Sequence, residues 1–152
     1  MDKRKSGIEF PGVTICLFCH DGAKNVFLNK RGTNCRDEHG RWDLCGGAID
    51  FGETIEETVR KELAEEYCAT PLEVEFLGAR DIMRKNDEGV PTHWIGIDFA
   101  VRIDPAVATN GEPHKFDEVR WFAISDLPKS PAPLHSQFPL FFERYRAKLS
   151  ML

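Results

Sequence analysis

The chain has 152 residues, 41% apolar and 30% charged, enough for one domain with a sizeable core. Its formal net charge of −5 argues against a protein that coats nucleic acid. It does not exclude a phosphate-bearing substrate, provided a metal ion mediates the contact. No run approaches a membrane span, and the MDKRKSGIEFPG start lacks the apolar core of a secretory signal. Five scattered cysteines fit reduced thiols, so a cytoplasmic location is the expectation, with no nucleic-acid polymer and no membrane as partner.

Residues 1–10 read as an N-terminal arm of a single domain covering 1–152. GVTICLFC is a continuous apolar run, a strand covered on both faces. Within it Cys16-Leu-Phe-Cys19-His20 matches a haem-attachment pattern, but a buried strand is the wrong setting, and the residues read as small core side chains. After a turn at His20–Ala23, Asn25–Lys30 returns as a second strand. Arg31–Arg41 is a polar loop, and Trp42–Leu44 a short strand.

Thr54-Ile-Glu-Glu57 has the form of a capping box, and acidic residues fill the first turn behind it. Ile55, Val59, Leu63 and Tyr67 recur every four residues, and Pro71 ends the pattern, so a helix runs from about Ile55 to about Tyr67. Leu72–Lys85 and Pro91–Asp104 form a hairpin about Asn86-Asp-Glu-Gly89, the second strand alternating as a half-buried one. Val107–Lys115 is a loop, and Asp117–Ala123 a strand with Val119 and Trp121 on one side, Glu118 and Arg120 on the other. A proline-rich connection, Asp126–Pro133, leads to a last helix capped by Ser136. Its apolar face is Phe138, Phe141, Phe142, Tyr145 and Leu149. The order predicts an α+β domain with a mixed sheet between helices.

Glu62, Glu65 and Glu66 share one helix face beside the apolar stripe. Three like charges so placed are either solvated surface or a seat for a hard divalent cation. Gly46, Gly47 and Gly52 allow a tight backbone path that brings Glu53 toward them.

These residues resemble the Nudix family box: Gly, five residues, Glu, seven residues, then Arg-Glu-aliphatic-x-Glu-Glu-x-Gly-aliphatic. Gly47, Glu53, Glu62, Leu63, Glu65 and Glu66 match strictly. Asn29-Lys30-Arg31, Gly40–Gly47, Glu118–Phe122 and Leu127-Pro128 extend the resemblance over most of the chain. Lys61 stands where the family has Arg, Cys68 where it has Gly, and Ala69 where it has a larger aliphatic residue. Cys45 replaces a frequent proline. Cys68 puts the usual left-handed helix end in question.

The resemblance implies an α/β/α sandwich and Mg²⁺- or Mn²⁺-dependent hydrolysis of a nucleoside diphosphate linked to a further group. Glu62, Glu65 and Glu66 are then the metal ligands, with Glu65 or Glu66 also the base and Glu53 a positioning partner. A further glutamate is expected from a later segment, Glu118 first and Glu112 second. On the substrate side the candidates are Arg31, Arg36, Trp42, Gly46 and Gly47. Trp94 is a further stacking candidate, and Trp121 reads as core. His93 and His114 read as exposed. Met83–Asp87 holds neither the proline nor the tyrosine that mark two known substrate groups, so nucleotide sugars, triphosphates and dinucleotides stay open. The resemblance allows a homodimer. The rival readings are a non-hydrolytic nucleotide-binding module of the same fold and an acidic-helix interaction domain.

Overall fold

The computed structural model describes residues 4–127 and 133–152. Seven strands form one mixed sheet: β1 (Gly12–His20), β2 (Asn25–Arg31), β3 (Trp42–Asp43), β4 (Cys45–Ala48), β5 (Glu73–Lys85), β6 (Pro91–Arg102) and β7 (Phe116–Ala123). The helices are α1 (Ile55–Tyr67) and α2 (Phe138–Leu149). The main path is β3-β2-β1-β6-β5, with β4 on β1 and β7 on β2. β1 and β6 are parallel and the remaining pairs antiparallel. One helix covers each face, giving the expected α+β, α/β/α arrangement.

The pleat sorts the core. Ile15, Leu17 and Cys19 of β1 pack with Val59, Leu63 and Tyr67 of α1. Phe18 and Cys16 turn to the other face and meet Phe138, Phe141 and Tyr145 of α2. Each fully buried side chain of this size contributes about 1.5–3 kcal/mol. Cys16 and Cys19 therefore lie on opposite faces of the sheet, so they cannot hold one haem. All five cysteines are free.

The capping box forms: Thr54 Oγ1 accepts from Glu57 N at 3.1 Å, and Glu57 Oε2 accepts from Thr54 N at 3.0 Å. Ile55, at the first turn, is 45% exposed, so the buried stripe starts at Val59. Cys68 takes the left-handed cap in spite of its side chain, with φ 54°. The 86–90 turn is held by Asn86 Oδ1, which accepts from Glu88 N and Val90 N.

Three readings change. Cys45–Ala48, read as glycine loop, is a strand whose glycines let β4 press on β1: a Cβ on Gly46 would sit 2.2 Å from Ile15 O. β6 is covered on both faces, because Asp98 and Ala100, the polar or small members of its alternation, are 0% and 1% exposed under α2. Ser136 does not cap α2. The N-cap is Gln137 with no side-chain bond, while Ser136 donates from N and Oγ to Glu38 at 2.8 and 2.9 Å. Of the proline-rich connection, residues 128–132 lie outside the described residues.

One irregularity of the sheet makes the cleft. β1 pairs with β2 only at Cys19 and His20, but with β4 from Thr14 to Leu17. The two strands share one edge of β1 and diverge along it. Asn29 bridges the split, donating from Nδ2 to Leu44 O at 3.2 Å and to the Tyr67 hydroxyl at 2.9 Å.

Candidate active site

α1 lies against β4, and this contact sets its carboxylates. Glu66 follows Leu63 on the buried face and is 2% exposed. Its Oε1 faces Gly46 N at 3.5 Å. Glu62 presses under Gly47, where an added Cβ would lie 2.5 Å from Glu62 Oε1. A side chain at Gly47 would thus displace the Glu62 carboxylate. Glu65, the third member, is exposed.

Burial, then the neighbouring Glu65 charge, pushes the Glu62 carboxyl up to about 7. Burial also drives Glu66 well above the ordinary carboxylate range, reinforced by the charges of Glu62 and Glu112. Lys115 opposes both shifts but does not cancel them. Lys61 is turned elsewhere, 2.7 Å from Glu53 Oε2 and 3.9 Å from Glu62 Oε1. Glu53, also accepting from Thr58 Oγ1 at 3.0 Å, is held low by its hydrogen bond from Lys61. Glu53 therefore reaches Glu62 through Lys61.

Glu62 and Glu66, oxygen donors partly withdrawn from water and short of positive charge, fit a hard divalent cation such as Mg²⁺ or Mn²⁺, but Glu65 does not close a three-carboxylate cluster with them. A different trio, Asp37, Glu38 and His135, has ligand atoms within 4.8 Å of one another. Its charge is already met: Arg31 pairs with Asp37 at 3.0 Å, and Arg84 pairs with both Asp37 and Glu38. His135 accepts from Gln137 N at Nδ1 and so turns Nε2–H to Glu38, 2.7 Å away. Burial holds this imidazole below its usual pKa, in the neutral form. The trio is a clasp joining the 31–41 loop to α2.

A cavity of about 450 Å³ opens from the split between β2 and β4. Glu66, Gly46, Gly47 and Lys115 line one part, and Arg80, Trp94 and Phe141 another. Its volume is that of a small-molecule site.

The expected residues separate. Gly46, Gly47, Arg31 and Arg36 line the cavity. Arg36 is exposed and makes no hydrogen bond or ion pair among the described residues. Arg31 is committed to Asp37 and Asp43, the latter at 3.3 Å. Trp42 is core: it is 3% exposed, meets Phe122 edge-on at 4.9 Å, and offers no face to a base. Trp121 packs on Phe27 as a core residue.

Glu118 is not brought to α1. It alternates with Val119 and Trp121, which pack toward α1, and so projects to the α2 face, where it takes Arg120 at 2.6 Å. Glu112 is the better placed of the two. Its loop docks on the end of α1 through Gly111 N to Glu66 O, 2.9 Å, and a Cβ on Gly111 would meet Glu65 O at 2.2 Å. His93 bonds Asp81 at 2.9 Å, and His114 stays exposed. Lys115, Arg80 and the clasp residues went unread. Lys115 follows Glu112 closely, and Arg80 answers Asp98 across a recognisable hairpin, which were the available signals.

A carboxylate-bearing helix at the mouth of a nucleotide-sized cleft, in a split mixed sheet, is the arrangement of a pyrophosphohydrolase. The chain belongs to the Nudix family, the NUDIX domain matching residues 10–144. It is 30% identical over 146 residues to the oxidized purine nucleoside triphosphate hydrolase of Danio rerio, covering 88% of this chain and 81% of that one. The crystal structure of a MutT NUDIX hydrolase from Burkholderia pseudomallei superposes with a TM-score of 0.73 at 25% identity, covering 88% of this chain and 97% of the other. The NUDIX domain of Shewanella oneidensis NrtR, crystallised with ADP ribose, shares the fold at TM-score 0.70 and 22% identity, over 91% and 88% of the two chains.

Proposed function

We propose that the protein cleaves a pyrophosphate bond of a nucleoside triphosphate, with Mg²⁺ or Mn²⁺. The phosphates lie at the Glu66, Gly46 and Gly47 end of the cleft, and the base occupies the deeper part. What supports this is the continuity of the cavity: one space runs from the buried carboxylate of Glu66 to apolar and aromatic walls at Trp94 and Phe141. The zebrafish relative is named for a triphosphate with an oxidised purine, which favours a triphosphate over a nucleotide sugar.

Glu62, Glu65 and Glu66 would hold the cation. When bound, it neutralises phosphate oxygens and lowers the pKa of a water. Phosphoryl transfer needs mainly positioning and charge stabilisation, and the protein's own groups supply these. Glu66, ionised when a cation is held beside it, would accept the proton of the attacking water. Lys115, at the same end, offsets phosphate charge. Arg36, without a hydrogen bond or ion pair among the described residues, reaches phosphates, and Glu112 completes the acidic wall. Glu53, fixed by Lys61 and Thr58, positions Glu62 through that lysine. The free thiols support a reducing, cytoplasmic setting, and no described helix is long and apolar enough to cross a membrane.

Pyrophosphate release from a panel of nucleoside triphosphates and ADP-ribose, with and without Mg²⁺, tests the reading. Glu66→Gln should lower kcat by about 100-fold or more with the fold intact. A wild-type protein that cleaves ADP-ribose alone, or nothing, overturns the triphosphate assignment.

A further inference from the structure

The wall of the cavity remote from the glutamates carries a buried arginine with donors to spare. Arg80 on β5 lines the cavity, yet its side chain is only 8% exposed. Its Nε donates to Asp98 Oδ2 at 2.8 Å. Asp98 also takes the Tyr145 hydroxyl at 2.7 Å. The guanidinium carbon stands 5.3 Å from the centre of the Phe141 ring. Side chain and ring together fix the plane of the fork.

Its η end is unspent. Nη2 has only the Cys16 thiol, 3.4 Å away and a weak acceptor. Nη1 makes no hydrogen bond among the described residues. This end of the guanidinium is open to a ligand oxygen or to water at the cavity wall.

Position and charge select the ligand. Gly46 pairs with Cys16, Cys16 with Asp98 and Asp98 with Gly78, so one row crosses β4, β1, β6 and β5. With strands about 4.8 Å apart, β5 is about 14 Å from β4, where the phosphates are assigned. Arg80 is two residues along from Gly78, on the same face, and so meets the other end of the nucleotide, the base. Asp98 already balances the charge of Arg80. The pair is a neutral donor, suited to an uncharged oxygen and not to a phosphate.

We propose that Arg80 reads a carbonyl oxygen on the base, so that the enzyme prefers keto purines to their amino or unsubstituted counterparts. This rests on the triphosphate reading above. The chemistry is that by which an arginine fork recognises O6 and N7 of guanine.

The test compares kcat/KM for two matched pairs, ITP with ATP and 8-oxo-dATP with dATP, in wild type and Arg80→Lys. Wild type should prefer the keto member of at least one pair by about 10-fold, the scale of one well-formed arginine–base contact. Lysine lacks the fork, so that ratio should fall toward unity. A merely structural role for Arg80 would lower both members of a pair together and leave the ratio unmoved. No preference in the wild type, or one that persists in Arg80→Lys, overturns the proposal. Arg80→Gln, whose amide still donates to Asp98, repeats the comparison if the lysine variant loses its thermal transition. If no triphosphate is cleaved, the functional reading has failed. Calorimetric titration with the same nucleotides then decides on Arg80 by the same ratio.

Discussion

Glu62→Gln should make the metal-free protein more stable while disabling it. Glu62 titrates at 4.5 when unperturbed and at about 7 in the fold, raised by burial and then by Glu65. A carboxyl raised on folding binds more protons in the native state than in the unfolded one. Its penalty is therefore absent below pH 4.5, grows as pH rises, and is complete above pH 7. Each tenfold change in proton affinity is worth about 1.4 kcal/mol, so the full penalty is about 3 kcal/mol. The side chain is 12% exposed, so solvent screening removes little of it. Glutamine keeps the shape and removes the charge. In EDTA at pH 8, urea unfolding followed by tryptophan fluorescence should show the variant more stable by about 3 kcal/mol. The gap should close toward pH 4.5. Saturating Mg²⁺ should narrow or reverse it at pH 8, because a cation bound to the native wild type stabilises that state. A variant no more stable than wild type at pH 8 in EDTA would refute the reasoning.

Two further outcomes follow from close contacts. Gly47→Ala places a Cβ 2.5 Å from Glu62 Oε1, and the carboxylate must retreat by about 1 Å. Since the clash is with the end of a flexible side chain, the thermal transition should hold while kcat falls about 10- to 100-fold in steady-state assays. Cys68→Gly relieves a left-handed residue at the end of α1. That conformation costs about 1–2 kcal/mol, against about 0.4–1 kcal/mol of added chain entropy, so urea titration should show a small net gain.

The acidic helix was legible because its evidence is local. Thr54 and Glu57 set its start, and the spacing of Glu62, Glu65 and Glu66 follows from helical geometry alone. The 86–90 turn was legible for the same reason. β4 was not, since Gly46 and Gly47 have no strand propensity and acquire their conformation from pairing with β1. Asp98 looked like a solvent-facing residue because its two partners, Arg80 and Tyr145, come from β5 and α2. The strand parity that turns Glu118 away from α1 was visible. Its meaning depended on which face α1 covers, a tertiary fact. Trp42 shows a similar limit: an aromatic residue a few positions before a glycine pair reads the same whether it faces a ligand or the core.

The divergence of β2 and β4 from one edge of β1 has an evolutionary consequence. The acidic helix stands on one side of the sheet, and Arg80, Arg84 and Trp94 stand on the other, meeting it only through the gap. On the proposed reading, substitutions on β5 and β6 should retune which molecule is accepted while leaving the reactive end unaltered. A family built on this plan is free to diversify its diet without reinventing its teeth.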